Sequence, residues 1–157
     1  MIHVYTKERH VKKISRFLDS IKVNYKIFID IDENQSQFDL GVSYCFPKMI
    51  KEPLLSKPRL GFVNFHPGPL PKYKGPTELD DAIKNQEIDW GVTVHYMDET
   101  YDTGDIIKIQ KIKLHEPPID QKELGSISHY FLFDLFKNII MDIYNEKVSS
   151  TPQNEMK

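Results

Sequence analysis

The chain has 157 residues, enough for one domain with a real core and too few for two full-sized ones. Its 39% hydrophobic and 28% charged residues are ordinary for a globular protein, and a net charge of −2 with scattered Lys and Arg argues against an electrostatic grip on nucleic acid. No apolar run approaches the roughly 20 residues that span a bilayer. The start, MIHVYTKERH, turns charged too soon to hold the apolar stretch of a secretion signal, so a cytoplasmic protein with no membrane partner is expected. Cys45 is the single cysteine, which excludes an internal disulfide and a cysteine-based zinc site. Within VSYCF it reads as a buried small hydrophobe before it reads as a nucleophile.

In chain order, residues 2–5 read as a strand, and residues 8–21 place Val11, Ile14, Phe17, Leu18 and Ile21 at helical spacing. Strands are expected over 25–31 and 39–46, the latter closed by Pro47, with one or two helical turns over 48–55 and a fourth strand over 60–65. After Gly75 a helix is expected with Thr77 as its N-cap and Leu79, Ala82 and Ile83 as its inner face. Residues 90–96 alternate as a half-buried strand, DETYDTGD is a turn, residues 105–114 return as a strand, and 121–144 form a long helix. That helix either covers the sheet or faces a partner subunit, so a homodimer is compatible with the pattern. Residues 1–148 are expected to form a single domain, and 149–157 have the composition of a disordered tail.

Strands alternating with helices imply an α/β fold: an open, mostly parallel twisted sheet with helices on both faces. Such sheets keep their ligand crevice beyond the carboxyl ends of the strands. The turn after the first strand, TKERHVK, has no glycine, which disfavours a dinucleotide-binding loop. The motif FVNFHPGPLPKYKG sets Asn64 and His66 two apart at a strand end, where they project to the same side. An amide donor beside an imidazole suits a developing oxyanion; in a purely structural role Asn64 bonds loop backbone and His66 closes the strand. Asp102, in TYDTGDI, matters to this chemistry if it meets His66, where a carboxylate raises the imidazole pKa and keeps the ring cationic. Otherwise it is a turn aspartate bonded to its own backbone. His95 reads as a packed or surface histidine, Asp80 and Asp81 point to different helix faces and lack a third metal ligand, and Lys72 and Lys74 read as solvated loop residues.

Together, FVNFHPGPLPKYKG and GVTVHYMDETYDTGDII resemble the two signature segments of the folate-dependent formyltransferases, a family that includes glycinamide ribonucleotide transformylase, the catalytic domain of methionyl-tRNA formyltransferase and the sugar-nucleotide N-formyltransferases. The resemblance covers roughly residues 39–109. It implies a Rossmann-like formyltransferase fold, here shortened in its N-terminal half, with N10-formyltetrahydrofolate as donor and Asn64, His66 and Asp102 as the catalytic centre. It also implies a pterin site on the loop after the third strand (Phe46, Lys48, Met49, Ile50) and the loop before Asp102 (Met97, Tyr101). No metal is implied. The expected reaction is formyl transfer to the primary amine of a small molecule, an amino-sugar nucleotide. Alternatives within the resemblance are formyltetrahydrofolate hydrolysis, glycinamide ribonucleotide transformylation and a degenerate folate-binding module.

Overall fold

The computed structural model of the chain describes residues 1–156. Six strands hydrogen-bond into an open sheet in the order β2-β1-β3-β4-β5-β6: β1 Ile2–Thr6, β2 Tyr25–Phe28, β3 Leu40–Tyr44, β4 Phe62–His66, β5 Asp89–Tyr96 and β6 Ile106–Lys113. The helices are α1 Glu8–Ser20, α2 Glu78–Lys84 and α3 Gln121–Tyr144, followed by a short 3-10 turn, Gln153–Glu155. Two compact units divide the chain, Met1–Asn64 and Phe65–Lys157, with the boundary inside β4. Among the described residues no helix is long and apolar enough to cross a membrane.

In the first unit β1 runs parallel to both β2 and β3, with Ile2 opposite Tyr25 on one side and Leu40 on the other. Every residue of β1 and β3 is buried, which is why IHVYT and LGVSY lack the polar alternation of a strand with one wet face. Gly41 is required by packing: a Cβ there would stand 2.3 Å from the Phe62 ring. Helix α1 buries His10, Ile14 and Leu18, a stripe at four-residue spacing. β2 stops at Phe28, short of the expected Ile31, because side chains take over the backbone donors: Asp30 accepts from its neighbour's N–H (Ile31, 2.7 Å) and Asp32 from Asn34 N–H (3.0 Å). Residues 48–55 form turns rather than a helix, with one helical-type bond from Leu55 N–H to Lys51 O and Pro53 inside it.

In the second unit β5 and β6 form an antiparallel pair, α3 packs on β5, and α2 packs on α3. Asp120 caps α3 by accepting from Glu123 N–H at 2.8 Å, and the Glu123 carboxylate accepts from Ile119 N–H at 2.8 Å, a reciprocal start signal. Thr77 does not cap α2; its hydroxyl donates to Asp81 instead. The inner face of α2 also differs from expectation: Glu78 and Ala82 are buried, while Leu79 and Ile83 are half-buried, Leu79 reaching toward Gly125 of α3. β5 is buried from Trp90 to His95 rather than half-exposed. Trp90 Nε1–H donates to Ser128 of α3 (2.8 Å), and Thr93 on the other face is covered by the 68–70 loop. The tail folds back: Thr151 and Ile106 exchange two backbone bonds of 2.9 Å, a pairing that polar composition does not reveal.

Candidate active site

Pro67 has no N–H to continue a ladder, so β4 ends at His66 and the chain turns into Gly68–Pro71. Asn64 and His66 lie two residues apart on β4 and therefore on one face of it; Asn64 is half-buried and His66 is buried. The turn is pinned to β5 by one side chain. The Thr93 hydroxyl donates to Gly68 O (2.8 Å) and accepts from Leu70 N–H (3.1 Å). Tyr73 is thereby brought back so that its carbonyl accepts from His66 Nε2 at 2.6 Å.

Asp102 comes to the same place from the loop after β5. Its Oδ2 lies 3.5 Å from His66 Nδ1 and accepts from Gly75 N–H at 2.9 Å, while its Oδ1 lies 3.3 Å from His95 Nε2. His95 Nδ1 in turn lies 2.7 Å from Tyr96 O. Each imidazole thus sits between two oxygen acceptors, so a neutral ring can donate to only one of them and a protonated ring to both. Burial disfavours charge on Asp102, but the imidazoles of His95 and His66 and the Gly75 N–H outweigh it and hold the carboxyl well below the usual carboxylate range. For His66 the balance is the reverse of the sequence expectation. Burial pushes its pKa below the ordinary value, and the Asp102 charge and Tyr73 carbonyl only partly oppose this, so the resting ring is not held cationic.

The Asp102 loop is built around two further residues. Asp98 accepts from Thr100 N–H and from the hydroxyls of Thr100 and Thr103. Gly104 passes so close to Tyr96 that a Cβ would stand 2.0 Å from its carbonyl oxygen. Gln153, from the tail, donates through Nε2 to Asp102 O (2.8 Å) and Gly104 O (2.9 Å).

The structure brings His66 and Asp102 together and adds three groups that sequence reasoning missed: His95, the Tyr73 carbonyl and Gln153. For His95 a signal was present, since alternation put it on the same face of β5 as Thr93; what covers that face is a tertiary fact. Of the residues implied for a pterin, Ile50 is fully buried, Lys48 pairs with Asp30 (2.6 Å), Phe46 packs edge-on against Tyr5, Met49 and Met97 are half-buried, and Tyr101 is exposed. Lys72 pairs with Glu87, and Lys74 is exposed. Cys45 is half-buried just past β3.

Asn64 and His66 thus stand at the end of β4, and Asp102 on the loop after β5, of an open, mostly parallel sheet. The family model described as formyl transferase matches residues 26–125, well over half the chain, and the chain belongs to that family. Among curated relatives it is 32% identical over 120 residues to the methionyl-tRNA formyltransferase of Staphylococcus epidermidis and 33% identical over 124 residues to that of Staphylococcus aureus. These matches take in 74% and 77% of this chain but only 37% and 39% of the relatives' length. Among solved structures it superposes with a TM-score of 0.83, at 24% identity, on the formyltransferase PseJ from Anoxybacillus kamchatkensis, solved with UDP-4,6-dideoxy-4-formamido-L-AltNAc and tetrahydrofolate, covering 99% of this chain and 82% of that one. The phosphoribosylglycinamide formyltransferase of Streptococcus pneumoniae superposes with a TM-score of 0.69 at 20% identity, covering 91% of this chain and 98% of that one.

Proposed function

We propose that the chain moves a formyl group from N10-formyltetrahydrofolate to the primary amine of a small acceptor, an amino-sugar nucleotide. The observation that carries this reading is the approach of the Asp102 carboxylate to within 3.5 Å of the His66 imidazole, next to Asn64 on the same strand end. Acyl transfer to an amine passes through a tetrahedral carbon bearing an oxyanion, and such an oxyanion is stabilised by preorganised donors and positive charge. The Asn64 amide supplies N–H groups. His66 supplies charge on demand: neutral at rest because it is buried, it gains a proton more readily as an oxyanion develops beside it. Asp102, held ionised, faces Nδ1 and stabilises the imidazolium so formed. The balance is simple. The amine loses a proton as its C–N bond to the formyl carbon forms, and N10 gains one as its bond to that carbon breaks. No covalent link to the protein is needed, and positioning the two reactants supplies much of the remaining rate.

The residues fit such a donor in one particular way. With the Ile50 side chain buried in the core and Lys48 engaged by Asp30, the 46–50 loop offers a pterin its main chain and the flanks of Phe46 and Met49. The 97–101 loop, taken by itself, has a half-buried Met97 and an exposed Tyr101 ring. The amino-sugar acceptor is supported by the ligand solved with PseJ, whose fold this chain shares over nearly its whole length. The identity to methionyl-tRNA formyltransferases favours a second reading, an aminoacyl-tRNA acceptor, against which stands the net charge of −2 with no basic cluster.

The test is to supply N10-formyltetrahydrofolate with separate pools of amino-sugar nucleotides, glycinamide ribonucleotide and methionyl-tRNA, and to follow products by mass spectrometry. The expected product is an amino-sugar nucleotide heavier by one formyl group. Formylated methionyl-tRNA would establish the second reading, and formate released without any acceptor would make the chain a hydrolase.

A further inference from the structure

Helix α2 turns a glutamate inward. Glu78 is only 8% exposed, on the stripe that Ala82 continues, and no group among the described residues donates a hydrogen bond to its Oε2. A buried carboxyl oxygen without a donor is destabilising, and natural structures keep few such groups.

The location points to the use. A Cβ built on Gly68 would stand 3.1 Å from His66 Nε2, 3.3 Å from Tyr73 O and 3.4 Å from Glu78 Cγ, so the Glu78 side chain and the His66 ring flank one small volume beside the Gly68 backbone. Asp102 is near enough for its charge to act on Glu78. The two carboxyls are driven in opposite directions. Burial, together with the charges of Asp102, Asp80 and Asp81, lifts Glu78 above the usual carboxylate range despite its own backbone N–H, while Asp102 is held below that range by two imidazoles and Gly75 N–H. Asp102 has its partners already; Glu78 has an open acceptor atom.

The chemistry that completes an unpartnered carboxyl beside an acyl-transfer centre is an N–H donor carried by the nucleophile. We propose that Glu78 is the acceptor-amine residue: its Oε2 receives an N–H of the incoming primary amine and holds the nitrogen beside His66. The proposal rests on the formyl-transfer reading and adds to it the group that selects an amine over a hydroxyl. An amine can keep one hydrogen on Glu78 throughout attack and release the other, whereas a hydroxyl has a single hydrogen, so its bond to Glu78 is lost when that hydrogen is released.

The experiment compares wild type with Glu78→Gln and Glu78→Ala, using a UDP-linked amino sugar as acceptor and its hydroxyl analogue as competitive inhibitor. Glu78→Gln preserves size and one acceptor oxygen but removes the charge; Glu78→Ala removes the group. Expected are a rise of tenfold or more in the KM for the amine in both variants, an unchanged KM for N10-formyltetrahydrofolate, and loss of the preference for amine over hydroxyl analogue. Unchanged KM and preference in either variant, with formyl transfer intact, overturn the assignment while leaving the formyl-transfer reading standing. A change in donor KM as large as that in acceptor KM would make Glu78 a structural residue and also overturn it. A wild-type protein that binds folate but formylates no primary amine overturns both. If Glu78→Ala does not fold, Glu78→Gln alone decides the question.

Discussion

Asp102 reaches the site from a backbone conformation with φ of 54°, in the left-handed region that Asp and Asn tolerate better than most side chains. Strain of this kind persists where surrounding bonds over-determine it, and here Gln153 holds the carbonyl while Gly75, His66 and His95 surround the carboxylate. If Asn64 and His66 serve the oxyanion, His66→Ala and Asn64→Ala should each lower kcat by about 10²-fold or more, the scale for loss of an oxyanion donor, with the thermal midpoint little changed. Wild-type turnover in either variant would remove that residue from the chemistry. If Asp102 serves His66, then His95, 3.3 Å from Asp102 Oδ1, acts through it as a positioning residue. His95→Ala should slow turnover by about tenfold with unaltered folate affinity, and His95→Gln, which restores an N–H toward Asp102, should recover part of the loss. An equal defect in both variants would reduce His95 to packing. The sequence alone placed Asn64 and His66 on one face by strand periodicity, but the arrival of Asp102 rested on family resemblance. Neither periodicity nor spacing could reveal that burial of His66 outweighs its carboxylate.

The strands and long helices were legible because their patterns follow burial: α1 at four-residue spacing, and β1 and β3 as short runs buried at every position. The connections were less so, because side-chain bonds settle them. Thr77 spends its hydroxyl on Asp81, and the inner face of α2 carries a glutamate that hydrophobic patterning assigns to water. The 97–105 loop shows how a connection can be more constrained than a helix. Any side chain at Gly104 would collide with the Tyr96 carbonyl, and backbone offers no rotamer by which to yield. Gly104→Ala should therefore shift Asp102 from His66 and lower kcat by about 10²-fold, since an ångström of misplacement can cost that much, with a smaller effect on stability. A Gly104→Ala protein with normal turnover would show that the loop adapts and that the Asp102 position is not critical.

At the scale of the whole molecule, the sequence conveyed an open α/β sheet and the strand-end position of its polar residues, but not the second use of its buried ionisable groups. His3 is the clearest instance. It is the second residue of β1, 1% exposed, stacked at 3.9 Å on Phe38, and among the described residues neither ring nitrogen has a hydrogen-bond partner. Burial, with Lys26 and the amino terminus adding to it, lowers its pKa from 6.5 to about 4. The unfolded chain therefore takes up a proton near pH 6.5 while the folded one resists until about 4, so the unfolded state binds more protons in that interval and stability falls as pH falls through it. At roughly 1.4 kcal/mol per pH unit, the interval carries on the order of 3 kcal/mol at most. His66, also lowered, acts in the same sense. Glu78, raised, opposes them, and the contribution of Asp102 stays intact until the pH drops below the ordinary carboxylate value of 3.8. Urea midpoints measured between pH 7 and 4.5 should fall, ahead of any loss of the Asp102 contribution. His3→Phe keeps an aromatic ring against Phe38 without a titratable nitrogen, so it should flatten the decline and raise the midpoint most at the acidic end. If His3→Phe shows the same slope as wild type, the ring is reached by protons in the folded state and acid sensitivity arises elsewhere.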